Sequence, residues 1–184
     1  MKLLKESLDY IKESKFYIYI GVFIFFFFSL IGFVFPMFQE QIFRIIEELS
    51  ALFEGKNLWE TIGLIFFNNA RASIIAIIAG VFFGIFPLVI ALGNGYLVGF
   101  VSRLVTDNVS ILELWRLLPH GVFELPAVLI SVGFGLKIGI EILIKPGKQN
   151  FFRNLEMSLK AFVLVVLPLL VIAAIIEGIL IVGF

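Results

Sequence analysis

Apolar residues in this chain fall into long uncharged runs, separated by short charged stretches in which the apolar positions recur at helical spacing. Leu4, Leu8 and Ile11 stand among charges at i, i+4 and i+7, which predicts an amphipathic helix at a membrane surface over residues 1–15. Residues 16–38 carry no charge and are long enough to cross a bilayer. The run is too long for a signal-peptide core and no small-x-small cleavage site follows, so it is expected to be retained. Over 40–54, Ile42, Ile45, Ile46, Leu49, Leu52 and Phe53 keep helical period, predicting a second interfacial helix stopped by Gly55. Asn57 with Glu60 three residues on marks a new helix start, and Trp59 falls where indoles collect at the membrane interface.

Residues 62–105 are too long for one crossing. They form either two short passes or a re-entrant hairpin turning at Gly93-Asn94-Gly95. Ser110 with Glu113 is a capping box for a short helix over 111–117. A crossing over 119–144 follows, because Pro119 is tolerated in a first helical turn, where its missing N–H would find no partner anyway. Pro126 within it frees the carbonyl of Val122, so Gly93, Gly95, Pro119 and Pro126 are the expected helix breaks. A basic loop beginning Lys145-Pro146-Gly147-Lys148 leads to a last crossing over 161–184, with a bend at Pro168. The expected fold is all-α: one polytopic helical membrane domain over 1–184, with about five crossings, broken or kinked helices and amphipathic interfacial helices.

Composition supports a membrane protein: 61% of the 184 residues are hydrophobic, 23 are phenylalanine, and the mean hydropathy is +1.10. The lipid bilayer is therefore the first partner. Fourteen basic residues balance fourteen acidic ones, which removes nucleic acid from the expected partners. The absence of cysteine excludes disulfides, thiolate metal sites and thiol nucleophiles. Lys2, Lys5, Lys12 and Lys15, together with Lys145, Lys148, Arg153 and Lys160, predict a cytoplasmic N-terminus in a multi-pass cell-membrane protein, opposite an acidic 39–61 stretch.

The segment 117–139 gathers the single histidine, an acid and two prolines at the mouth of an apolar run. His120 and Glu124, four apart, share a helix face. Pro119-His120-Gly121-Val122-Phe123-Glu124-Leu125-Pro126-Ala127 resembles the signature of the stage II sporulation protein M family of small multispanning membrane proteins, and Asn68-Asn69 and Gly93-Asn94-Gly95 resemble that family's pattern as well. The resemblance implies the architecture and a part in a membrane complex; it supplies no reaction.

Two ladders of small residues run at strict i+4 spacing: Ala72, Ala76, Gly80, Gly84 and Ala127, Ser131, Gly135, Gly139. Such faces let membrane helices approach closely, so the two are expected to touch. A polar intramembrane cluster, serving either as a ligand site or as a hydrogen-bonded brace, is expected from Asn68, Asn69, Arg71, Asn94, His120, Glu124 and Glu177. Lys137 and Glu141, four apart, are expected to pair or snorkel. No HExxH, GxSxG or GK[ST] element is present, and one histidine without cysteine is a poor zinc set, so no metal, cofactor or catalytic residue is expected. The first functional expectation is a non-enzymatic scaffold or component of a membrane complex. The second is a small homo-oligomeric transporter or channel.

Overall fold

A computed structural model describes residues 2–108 and 118–183, except for the side chains of 49, 50, 108, 118–120 and 183. Helix α1 (Lys2–Glu13) passes through Ser14 into α2 (Lys15–Val34), and α3 (Gln39–Ala51) leads to α4 (Leu58–Ile78). A 3-10 turn (Ala79–Val81) precedes α5 (Ile85–Asn108). Then come α6 (Leu118–Ile144), α7 (Lys148–Ala161), a π-helical turn (Phe162–Val166) and α8 (Leu167–Gly183). Among the described residues, five helical stretches are long and apolar enough to cross a membrane: 15–34, 58–81, 85–107, 121–144 and 148–182. The short helix expected over 111–117 lies outside the described residues.

Local chemistry sets the boundaries. Helix α2 stops at Val34, short of the expected 38, because Pro36 removes a donor and disfavours helix in the residue before it. The irregular backbone that follows is served by Tyr96 of α5. Its hydroxyl accepts from the Met37 N–H at 2.7 Å and lies 3.0 and 2.8 Å from the carbonyls of Phe35 and Met37. Asn57 caps α4: its side chain accepts from the N–H groups of Trp59 (3.0 Å) and Glu60 (3.1 Å), while Glu60 accepts from the Asn57 N–H at 2.9 Å.

Residues 62–105 make two helices, but the turn between them is not at Gly93-Asn94-Gly95. Helix α5 runs unbroken through those three residues, and the chain reverses at Phe83 (φ 56°) and Gly84 (φ 76°). Gly95 serves close approach instead: a Cβ there would lie 3.0 Å from the Cα of Phe25 on α2, and one at Gly99 would lie 2.9 Å from the Cα of Ser29. Pro119 stands in the first turn of α6, and Pro126 does not break the helix, which continues past it. The basic stretch after Pro146 is helical rather than a loop, and it joins α8 through the π turn. There the Leu167 N–H reaches back to the carbonyl of Phe162, five residues away.

Helix α6 is the hub. Two-thirds (67%) of its spanning window is buried, against 22–28% for the other four. The two ladders meet along it: a Cβ at Gly80 would lie 2.7 Å from the Cα of Gly135, and one at Gly135 would lie 3.0 Å from the carbonyl carbon of Ala76. A Cβ at Gly139 would lie 2.5 Å from the carbonyl oxygen of Gly80, and Gly84 stands against Leu136. Ala76, Ala127 and Ser131 are fully buried in the same seam, and Ser131 returns its hydroxyl to the carbonyl of Ala127 at 3.0 Å. Contacts that rise together in residue number make α4 and α6 parallel. Phe25 with Gly95 and Ser29 with Gly99 make α2 and α5 parallel as well. Hydrophobicity drives neither approach in lipid; backbone contact through small residues does.

Candidate functional site

A half-open cavity of about 480 Å³ lies between α2, α3, α5, α6 and α8, at the end where α3 sits. Phe25 of α2 and Ala91, Leu97 and Val98 of α5 form one wall, and Leu125, Val128 and Leu129 of α6 form another. Ile46 of α3 and Phe53 just beyond it also line the cavity, so the apolar face of that amphipathic helix meets the cavity. Among the described residues, three with polar side chains line this apolar chamber, each from a different helix: Asn94, Glu124 and Glu177. Asn94 donates its amide to the carbonyl of Ile90 one turn back, at 2.8 Å, which leaves its side-chain oxygen as the outward acceptor. Glu124 is engaged by a neighbour. Glu177 has one carboxylate oxygen, Oε2, buried with no hydrogen-bond partner among the described residues.

The remaining members of the expected cluster stand elsewhere. Asn68 and Arg71 are exposed and Asn69 is half-buried. None of the three lines the cavity, because no residue of α4 does. At this end α4 leans on α8, where a Cβ at Gly178 would lie 2.5 Å from Ile62, and the chamber opens on the other side, toward α2, α3 and α5. The side chain of His120 lies outside the described residues. Ile46 and Phe53 had been legible only as the apolar stripe of an interfacial helix.

A second polar assembly, at the opposite end, joins α1, α2, α6 and α7. Lys137 is 1% exposed, and it donates to Glu13 of α1 at 2.7 Å while its ammonium lies 4.3 Å from the ring centroid of Tyr10. Arg153 of α7 grips both oxygens of the same carboxylate, at 3.1 and 2.7 Å. The expected pairing of Lys137 with Glu141 is replaced, because α1 brings a carboxylate to the buried ammonium. Glu141 instead accepts from Asn154 (2.8 Å) and Tyr17 (3.3 Å), with Lys145 at 4.0 Å. The Tyr10 hydroxyl lies 3.2 Å from both the Asn154 carbonyl and the Ser158 hydroxyl. The Arg153 hydrogen bonds, and after them those of Lys137, hold the Glu13 carboxyl at about 2, below its ordinary 4.5, against the opposing effect of burial. Burial pushes the Tyr10 phenol from 10.0 up to about 12. The pairing of residues 124 apart in sequence had no local signal beyond a lysine inside an apolar run.

The cavity and this assembly thus occupy opposite ends of one hub helix. A family model described as Stage II sporulation protein M matches residues 21–180. The chain belongs to that family. The match takes in all of α3 to α7 and every residue that lines the cavity, but it starts after α1, so Tyr10, Glu13 and Tyr17 precede the stretch matched to the stage II sporulation protein M family. No curated protein and no solved structure matches the chain.

Proposed function

We propose that this integral membrane protein is a small transporter or channel. In this reading the cavity between α2, α3, α5, α6 and α8 holds a cation or a small protonated solute, and the protein performs no covalent chemistry. The observation that carries the proposal is the convergence of Glu124 and Glu177, from separate helices, on one apolar chamber. A carboxyl group inside a membrane domain is expensive unless it is paired or used, and a buried Oε2 without a donor leaves Glu177 ready to accept a proton or a cation. Asn94 adds a neutral oxygen suited to an ion shedding its water. The lysine-rich stretches around α1 and α7 support a cytoplasmic N-terminus, which makes the cavity end the external one.

The test is flux into sealed vesicles containing the purified full-length protein. Proton, sodium, potassium and small organic cations are each imposed as gradients. Glu177→Gln and Glu124→Gln should each abolish a flux that the parent protein supports. An inert parent across all of these gradients would sink the proposal.

A scaffold role in a membrane complex is the second reading, favoured by α3. That helix carries Glu40, Glu47 and Glu48 on an exposed surface with Phe43 and Ile45 beside them. Recovery of a stoichiometric membrane partner in mild detergent, lost when these three glutamates become glutamine, would favour it over transport.

A further inference from the structure

The outer face of α4 carries polar groups at a depth where a membrane holds no water. Thr61, Ile65, Ser73, Ala76 and Ile77 are buried against the bundle, whereas Phe67, Asn68, Arg71, Ile75 and Ile78 recur on the opposite side of the helix and are exposed. Arg71 is the single charged residue between Glu60 and the reversal at Phe83 and Gly84. It stands within two residues of the midpoint of the 58–81 span.

Neither end of the helix offers the guanidinium a way out. Trp59, beside the capped start of α4, is about 18 Å away along the axis and Val81 about 15 Å, and both are farther than an arginine side chain reaches when it snorkels. The inner end is itself apolar, with Phe82, Phe83, Ile85 and Phe86 all exposed around the reversal. Among the described residues, no side chain pairs with Asn68 or Arg71.

A guanidinium stays charged, and a charge facing hydrocarbon is costly until something covers it. The cover must bring an acceptor to mid-membrane. A phospholipid phosphate lies at headgroup level, half a bilayer away. A second copy packed α4 against α4 would set Arg71 against Arg71, two like charges with no water between them. The acids toward this end of the bundle, Glu124 and Glu177, line the chain's own chamber, which no residue of α4 borders. A helix from another membrane protein, with an aspartate or glutamate at its middle, meets the requirement. Asn68 precedes Arg71 by one turn on the same face, and helical side chains tilt toward the start of their helix. The guanidinium and the amide can therefore close on one carboxylate, the guanidinium through a pair of hydrogen bonds.

We propose that the exposed face of α4 docks a transmembrane helix of another protein through a mid-membrane carboxylate held by Arg71 and Asn68. This surface is separate from the transport cavity, and its test does not depend on flux.

Full-length protein carrying Lys56→Cys is labelled there with a donor fluorophore and reconstituted in vesicles of choline phospholipid. Acceptor-labelled synthetic helices of about 22 residues, rich in leucine and alanine, are added with Glu at the centre, with Leu at the centre, or with Glu displaced two turns from the centre. Energy transfer should show the centred Glu helix binding about tenfold more tightly than either of the others. Arg71→Leu should reduce that binding to the level of the Leu helix while keeping the parent's unfolding temperature, because the arginine holds nothing within its own protomer. The comparison of centred with displaced Glu uses the parent alone, so it decides even where a variant fails to fold. Binding that ignores the position of the Glu, or that survives Arg71→Leu, would overturn the proposal. So would energy transfer between two labelled copies of the protein that disappears in Arg71→Leu, since the face would then belong to self-association.

Discussion

Lys137 of α6 and Glu13 of α1 form an ion pair 2.7 Å long in which the ammonium is sealed from solvent and the carboxylate is half-open to it. Removing the carboxylate strands a buried cation. Glu13→Ala should therefore cost on the order of 3 kcal/mol, whereas Arg153→Gln, which removes an exposed partner, should cost about 1 kcal/mol or less. Unfolding in detergent, followed by helical circular dichroism against denaturant, measures both. Equal costs would show that Lys137 gains its stability from the Tyr10 ring and not from Glu13.

The same pair sets a pH dependence. The folded carboxyl of Glu13 is held at about 2 against an ordinary 4.5, so its stabilising contribution is complete above 4.5 and is lost as pH falls from there toward 2. Tyr10 works at the other limit. With its phenol raised from 10.0 to about 12, the neutral form is the one the fold keeps, and its contribution is lost as pH rises through that interval. Thermal midpoints across both windows should fall in the parent. Glu13→Gln should remove the acid fall, and Tyr10→Phe the alkaline one.

Where the ladders meet, backbone lies against backbone. Gly135→Leu and Gly80→Leu should each cost more than about 2 kcal/mol, since the neighbour of the new side chain is main chain and not a flexible side chain. Gly93→Leu is the control on α5, because a Cβ there meets nothing within 4 Å. Equal thermal midpoints for all three variants would mean that the helices can part without loss.

Orientation is open to a direct assay because the chain has no cysteine of its own. Single replacements Lys56→Cys and Lys5→Cys place a thiol on opposite ends of the bundle. A membrane-impermeant maleimide applied to intact cells should label the first at once, and the second only after permeabilisation. The reverse pattern would put the cavity on the cytoplasmic side.

Much of the architecture was legible because lipid imposes simple demands: uncharged runs of about 20 residues cross, and i+4 small residues mark close helices. The Asn57 and Glu60 cap was legible for a local reason, since both partners lie within one turn. Glycine misled at Gly93-Asn94-Gly95. There, one glycine serves contact with α2, and the actual reversal employs Phe83, a residue with no turn signature, at φ 56° beside Gly84. Of the expected polar cluster, Asn94, Glu124 and Glu177 lie around one chamber, while Asn68, Asn69 and Arg71 belong to a helix that turns another way. The α4–α6 contact was readable from the ladders; that α4 also leans on α8 and carries its polar residues away from the chamber was not. The Glu13 clamp was hidden in the same way.

The π turn at Phe162–Val166 acts as a vernier between the two ends of the molecule. One surplus residue in a helix rotates everything beyond it by about 100°, so α7 can direct Asn154 and Ser158 toward α1 while α8, further along the same rod, directs Glu177 into the chamber. Length and angle are thereby decoupled. Substitutions at Val163, Leu164 and Val165, which are not buried, should be mild, but deleting one residue of the turn should swing Glu177 out of the chamber or pull the clamp apart, and flux and stability measured together would tell which end gives way.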